Sequence, residues 1–306
     1  MKYISEKDIR ALCDVDEVME AMKMGFMAYS RMSNTMGQRF IVDLGNGNTA
    51  TVIGPGILPD IPAYTMKVNS KFPQENPALK GVVTLFDKNT GEILAQFHSG
   101  GITSIRTGLS AALASDALAT GTDRLAIIGA GTQNMLQLEY LMHLRAIHSV
   151  DIYDTDLRKM EEFVNKFKDR VVIYRKDSIM ETVRGHDLIL IATWSKTPLV
   201  DLEHVSATSH ITTLGADQPG KVEVTKNLVA RSKLLVDDIP LNLEMGTPGN
   251  LGCPRSSIHG TIAEVYGNPK LQSRLRHERT LYSPVGLAFQ DLVLCWNLYQ
   301  KAILRR

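Results

Sequence analysis

The chain is poor in cysteine, in charge of one sign and in long apolar runs. Its three cysteines, Cys13, Cys253 and Cys295, stand far apart with no CxxC pair, which argues against a disulfide framework and a cysteine-built zinc site. Basic and acidic residues nearly cancel, 34 against 33, without a block of like charge, so a nucleic-acid partner is not expected. No apolar run reaches the roughly 18 residues of a membrane span, and the charged opening MKYISEKDIR lacks the apolar region of a secretory leader. Internal repeats and low-complexity stretches are also missing. These absences point to a cytoplasmic globular protein with no membrane partner.

What is present is a large apolar fraction, 44%, in 306 residues, enough for two domains. Between 124 and 238 short β-rich runs alternate with helical stretches: RLAII 124–128, SVDIY 149–153, VVIY 171–174, DLILIAT 187–193, HITTLGA 210–216 and KLLVDD 233–238. This alternation predicts a Rossmann-type α/β domain with a doubly wound parallel sheet. In TDLRKMEEFVNKFKDR, Leu157, Met160, Phe163, Val164 and Phe167 recur at helical spacing, with Thr155 or Asp156 as the cap. The first hundred residues carry β-rich segments, RFIVDLG, TATVIG, AYTMKVNS, GVVTLFD and ILAQFHSG, separated by Gly, Pro and Asn, which predicts a meander or mixed sheet. FDKNTGE, 86–92, reads as a hairpin turn with Gly91 at positive φ. Residues 285–304 read as a long closing helix that returns to the first domain. The expected plan is a β-rich α+β domain, 1–118 with 284–306, interrupted by the Rossmann domain, 119–283.

The stretch IIGAGTQNML, 127–136, follows the first Rossmann strand. Gly129 and Gly131 match the first two glycines of a dinucleotide fingerprint, and Asn134 stands where the third is usual. At Asn134 either a wider helix-to-strand contact or an amide hydrogen bond to nearby backbone is expected. Asp154, at the end of the next strand, has the spacing of the carboxylate that binds the adenosine ribose. A carboxylate there repels a 2′-phosphate, and no Arg follows it in YDTD, so NAD is expected over NADP.

Several stretches, taken in order, resemble one family. QRF at 38–40, YTMKVNSKFPQENP at 64–77, SIRTGLSAALASDALA at 104–119, GAGTQ at 129–133, IATWSKTPLV at 191–200, LGADQPGKVEV at 214–224 and VGLAFQDL at 285–292 are similar to the ornithine cyclodeaminase/mu-crystallin family. The resemblance implies an NAD(P)-dependent enzyme acting on small amino, imino or oxo acids, and a homodimer joined through the substrate domain. It places Arg39 and Arg106 on the substrate carboxylate, where guanidinium forks suit a carboxylate. Thr103 and Ser104 are expected to cap a helix over 107–119, putting Arg106 at its anion-favouring end. The resemblance also puts Lys67 beside the reacting carbon and makes Asp217 the catalytic carboxylate. It assigns Thr107, Thr132, Gln133, Thr193 and Val285 to the cofactor, together with Gly129, Gly131 and Asp154, and Thr84 to substrate or nicotinamide.

The sequence also departs from the family. Cyclodeaminases of the family carry a glutamate where ATVIGPG, 50–56, offers Thr51 and no acid. The expectation is therefore an imine reductase or amino-acid dehydrogenase, with a cyclodeaminase and a catalytically weak crystallin-like binding protein as the alternatives. His98 is a candidate for a second substrate carboxylate, although an ordinary strand-end role competes with it.

Overall fold

The computed structural model describes residues 2–32, 39–121 and 124–304. Gln38 of the QRF triplet lies outside them, as do residues 1, 33–37, 122–123 and 305–306 of the expected domain spans. The chain divides into two compact units, residues 1–107 with 287–306, and residues 108–286. The division falls inside the helix Ser99–Leu118 and just ahead of the closing helix, rather than at 118/119 and 283/284.

The first unit holds a six-stranded sheet of β1 (Lys2–Ile4), β2 (Arg39–Gly45), β3 (Asn48–Gly56), β4 (Ala63–Lys71), β5 (Leu79–Asp87) and β6 (Ile93–His98), in the order β1-β6-β5-β4-β3-β2. β2 to β6 form an antiparallel meander, and β1 adds in parallel beside β6, which makes the sheet mixed. At the β5–β6 turn the Asp87 carboxylate accepts the amides of Asn89 and Thr90, and Gly91 has φ +74°. The period of two in AYTMKVNSK decides which side chains go inside: Ala63, Thr65, Lys67 and Asn69 are buried, while Val68 is exposed on the opposite face. The closing helix, Ala288–Leu304, packs over β3, β4 and β5, with Phe289 edge-on to Phe26 at 5.0 Å and stacked on Tyr29 at 4.9 Å.

Helix boundaries move as well. The helix expected over 107–119 runs from Ser99 to Leu118, because Gly100 and Gly101 form its first turn instead of breaking it. Thr103 is therefore not a cap, and its hydroxyl donates to the Ser99 carbonyl at 2.7 Å. Arg106 lies about two turns into the helix, so the dipole argument for it fails.

The second unit is an eight-stranded sheet, parallel at every pairing: β7 (Arg124–Ile128), β8 (Ser149–Tyr153), β9 (Val172–Arg175), β10 (Leu188–Ile191), β11 (His210–Thr213), β12 (Lys233–Val236), β13 (Ile258–Thr261) and β14 (Thr280–Tyr282). The order β13-β12-β14-β11-β10-β7-β8-β9 contains the six strands read from the sequence, with β13 and β14 in addition. β7 lies between β8 and β10, so the winding direction reverses there and a crevice opens at the carboxyl ends of these strands. Fully buried Ile128, Ile189, Ile191, Ile211, Leu234 and Leu281 form the core under Val200, Val224 and Leu228. Asp156 caps the helix Leu157–Phe167, which buries Met160, Phe163 and Phe167. Leu157, expected in that stripe, is 71% exposed because it occupies the first helical position, ahead of the turn that meets the sheet.

Candidate functional site

In the first unit the meander and two helices gather a buried cluster of charge. Register aligns Arg39 with Ile53 and Ile53 with Lys67, so the arginine and the lysine project from one face of the sheet, two strands apart. Lys67 is 2% exposed, and its Nζ donates to Asp291 Oδ1 at 2.9 Å. Arg106 reaches the same oxygen, with Nε at 3.5 Å, and its Nη1 donates to Gln290 Oε1 at 3.0 Å. The Gln290 oxygen also accepts the Leu287 amide at 3.1 Å, which fixes it at the start of the closing helix. Two buried cations thus share one buried carboxylate, and the Arg106 Nε makes no hydrogen bond among the described residues. Burial pulls Lys67 down from 10.5 to about 8; Asp291 opposes this, while repulsion from Arg106 and Arg39 adds to it.

Thr84 does not join this cluster. It pairs with Met66 and Gln96, and so lies on the sheet face opposite Lys67, where its hydroxyl accepts Gln96 Nε2 at 3.4 Å. Thr51, aligned with Asn69, shares the Lys67 face. His98 Nδ1 accepts the Gly101 amide at 3.2 Å and thereby stabilises the first turn of the next helix. Thr107 follows Arg106 on that helix, half-buried.

In the second unit a cavity of about 350 Å³ opens at the carboxyl ends of β7, β8 and β10, lined by Gly129, Gly131, Asp154, Lys159, Thr193 and Trp194 among others. Gly129 has φ +93°, and a Cβ on it would stand 2.5 Å from the Ala192 carbonyl oxygen, so only glycine fits. Gly131 is different: a Cβ there would meet no protein atom within 4 Å, so internal packing does not require its smallness. It begins the helix Thr132–Leu144, whose N-terminus has no side-chain cap. Gln133, in the first turn, keeps a buried Oε1 without a hydrogen bond among the described residues. Open space over a glycine, an uncapped helix start and a carboxylate at the next strand end fit the pyrophosphate and ribose of a dinucleotide.

Asn134 has a defined role in that loop. It is fully buried; its amide nitrogen donates to the carbonyls of Ile128 and Gly129 at 2.9 and 2.7 Å, and its oxygen accepts Gln137 Nε2 at 2.7 Å. The expected amide bond to backbone is present, and it ties helix to strand where a third glycine would merely allow close packing. Asp154 adds a second tie, because Oδ2 accepts the Ala130 amide at 2.7 Å and Oδ1 that of Asp156 at 2.8 Å.

The remaining residues have partners that the sequence reading missed. The Thr193 amide and hydroxyl donate to Glu223 Oε1 at 2.5 and 2.7 Å, while Glu223 Oε2 accepts Thr213 Oγ1 at 2.5 Å and the Gly215 amide at 2.7 Å. Glu223 therefore joins the ends of β10 and β11; burial pushes its carboxyl up, and the four donors oppose that. Asp217, 30% exposed, accepts Lys221 Nζ at 3.0 Å, and that nitrogen lies 4.2 Å from the centre of the Trp194 ring. The Val285 amide points to the buried Asp237 carboxylate at 3.1 Å, and the Gly286 amide at 2.6 Å, so the backbone turn before the closing helix is pinned. Asp291, Gln290, Glu223, Asp237 and Lys221 all sit within or beside quoted motifs; an acid in an apolar run, as in GKVEV and AFQDL, was the available signal.

Among the described residues no helix is long and apolar enough to cross a membrane, and no group of His, Cys, Asp and Glu is placed to hold a metal ion. The chain is 28% identical to an alanine dehydrogenase of Archaeoglobus fulgidus, over 98% of this chain and 94% of that one. It is 26% identical to a Delta(1)-pyrroline-2-carboxylate reductase of Bacillus cereus, over 100% and 98%. Among solved structures, the Delta(1)-pyrroline-2-carboxylate reductase of Thermococcus litoralis, in complex with NADH and L-proline, aligns with TM-score 0.90 at 25% identity, over 100% of this chain and 98% of that one. An archaeal alanine dehydrogenase dimer with bound NAD aligns with TM-score 0.89 at 25% identity, over 100% and 97%. The family model of the ornithine cyclodeaminase/mu-crystallin family matches residues 2–305, and the chain belongs to that family.

Proposed function

We propose that the protein is an NAD-dependent oxidoreductase that interconverts a small L-amino acid and its 2-imino or 2-oxo acid. The observation that carries this reading is the buried pair of cations on a single carboxylate, Lys67 and Arg106 on Asp291. A surplus of positive charge away from water is costly unless an anion completes it, and the carboxylate of an amino or imino acid is of the right size and charge. Arg106 and Arg39 hold that carboxylate, and Lys67 directs its ammonium to the reacting C=N or C=O group. Gly129, Gly131, Thr132 and Gln133 receive the cofactor pyrophosphate, Asp154 the ribose, and Val285 borders the nicotinamide, with Thr193 and Thr107 assigned to the cofactor as well. When bound, the nicotinamide cofactor supplies hydride to the sp² carbon. Asp217, held by Lys221, exchanges the proton at nitrogen. Asp154 favours NAD over NADP.

The relatives' names support the reaction class, and the lack of an acid at Thr51 favours net reduction over cyclodeamination. Phe40, Val52 and Val68 align across β2, β3 and β4 as an exposed apolar row, with Val42 and Leu44 beside it on β2. A second copy of the chain covers that row, and the substrate unit is then also the dimerisation unit.

The test is NADH oxidation screened over 2-oxo acids with ammonia or methylamine, and over cyclic imines. Turnover with at least one and no proline from L-ornithine plus NAD is expected. Proline and ammonia without net NADH would establish the cyclodeaminase instead, and failure with every substrate would leave a binding protein.

A further inference from the structure

The charged cluster of the first unit has one member to which the quoted motifs assign no role. Asp291 rises from the first turn of the closing helix, fully enclosed, and a single oxygen, Oδ1, meets Lys67 Nζ at 2.9 Å and Arg106 Nε at 3.5 Å. Its neighbour Gln290 holds the other end of the same guanidinium, through Nη1 at 3.0 Å. One helical turn therefore grips both cations assigned to the substrate.

Building on the functional reading above, we propose that Asp291 is a positioning residue: its carboxylate aims the Lys67 ammonium and the Arg106 guanidinium and keeps the lysine charged for its substrate. The groups that face Lys67 fix the sign of its influence. From the closing helix come Asp291 and the buried thiol of Cys295; from the Ser99–Leu118 helix comes Arg106; from β2 comes Arg39. Burial pushes the Cys295 thiol well up, so it remains neutral. Asp291 is then the one anion among groups that otherwise discharge the lysine. An ammonium without it loses its proton at lower pH, and the Arg106 guanidinium loses its ion-pair partner.

The experiment compares wild type, Asp291→Asn and Asp291→Glu in two ways. The first is the pH profile of kcat/KM with NADH and whichever of pyruvate plus ammonia or Δ1-pyrroline-2-carboxylate the wild type turns over. The second is direct titration of Lys67 by NMR of ¹³Cε-lysine-labelled protein, assigned with Lys67→Met. Thermal melts and circular dichroism establish that each variant is folded. In Asp291→Asn the alkaline limb and the Lys67 midpoint are expected to move down together by about one to three pH units. kcat/KM at pH 8 should fall by about tenfold or more. Asp291→Glu should return the limb to its wild-type place and recover part of kcat/KM, which a purely structural role would not produce. A folded Asp291→Asn with unmoved limb and midpoint would overturn the proposal, as would an Asp291→Glu no better than Asn. If Asp291→Asn does not fold, Asp291→Glu against wild type decides: an unmoved limb with reduced kcat/KM supports positioning, and unchanged kcat/KM refutes it. A wild type inert toward both substrates counts against the functional reading, and the Lys67 midpoint then judges Asp291 alone.

Discussion

The two compact units prepare for ligands with different materials. The first uses charge on side chains: Lys67 and Arg106 are buried on one carboxylate, with Arg39 on the same sheet face as the lysine. The second uses backbone, shaped by Gly129 and Gly131 and tied down by Asn134 and Asp154, with little net charge committed. Buried charge is expensive and specific, so a change there should alter turnover steeply and selectively. A backbone cradle is cheap and shape-based, so changes there should separate cleanly into those that spoil folding and those that spoil only occupancy.

The strongest attempt to break this contrast is Arg106→Ala. kcat/KM for the acid substrate should fall roughly 30-fold to a few thousand-fold, while the Kd for NADH, measured by fluorescence titration, stays within about twofold. A parallel loss of NADH affinity would show that the two preparations are not separable. Next in size is Gly131→Val, whose Cβ meets no neighbouring protein atom within 4 Å. NADH affinity should drop about tenfold or more with the melting temperature nearly unchanged, whereas Gly129→Val should lower the melting temperature because its Cβ strikes the Ala192 carbonyl.

The pH dependence sharpens the charged half. In the proposed role Lys67 acts as the ammonium, and burial lowers its pKa to about 8, so kcat/KM should be flat below that pH and fall about tenfold per unit above it. In Lys67→Arg, which stays charged, that limb should vanish even if the rate is low. The smallest effect is expected for Asn134→Ala, which leaves the Ile128 and Gly129 carbonyls short of a donor. It should cost about 1–3 kcal/mol in denaturant melts, with a modest rise in the Kd for NADH.

How much of this was legible in the sequence follows from what each element needs. β7, β8, β10 and β12 announce themselves because strands buried in the sheet are apolar runs, and the exposed edge strand β9 and the polar HITT of β11 by their β-branched and aromatic residues, whereas β13 (IHGT) and β14 (TLY) are too short and mixed to show a period. The start of the helix at Ser99 was hidden by two glycines that tertiary burial makes tolerable. Lys67 and Arg106 could be picked out by resemblance, and the alternation in AYTMKVNSK even implied which strand neighbours would share the lysine's face. Asp291 left only the trace of an acid inside an apolar helix, because its partner lies 224 positions away. Thr84 illustrates the converse: it stands one strand over and one register step away from Lys67, and that step turns it to the other face.

Trp194 has a practical consequence. Its indole is 54% exposed, borders the cavity at Gly129 and Thr193, and lies over Lys221, the partner of Asp217. The other tryptophan, Trp296, is half-buried on the closing helix against Tyr299. With only two such chromophores in the chain, one of them at the cavity wall, the protein carries its own optical gauge: ultraviolet emission of a Trp296→Phe variant reads the state of the nucleotide crevice without any added label.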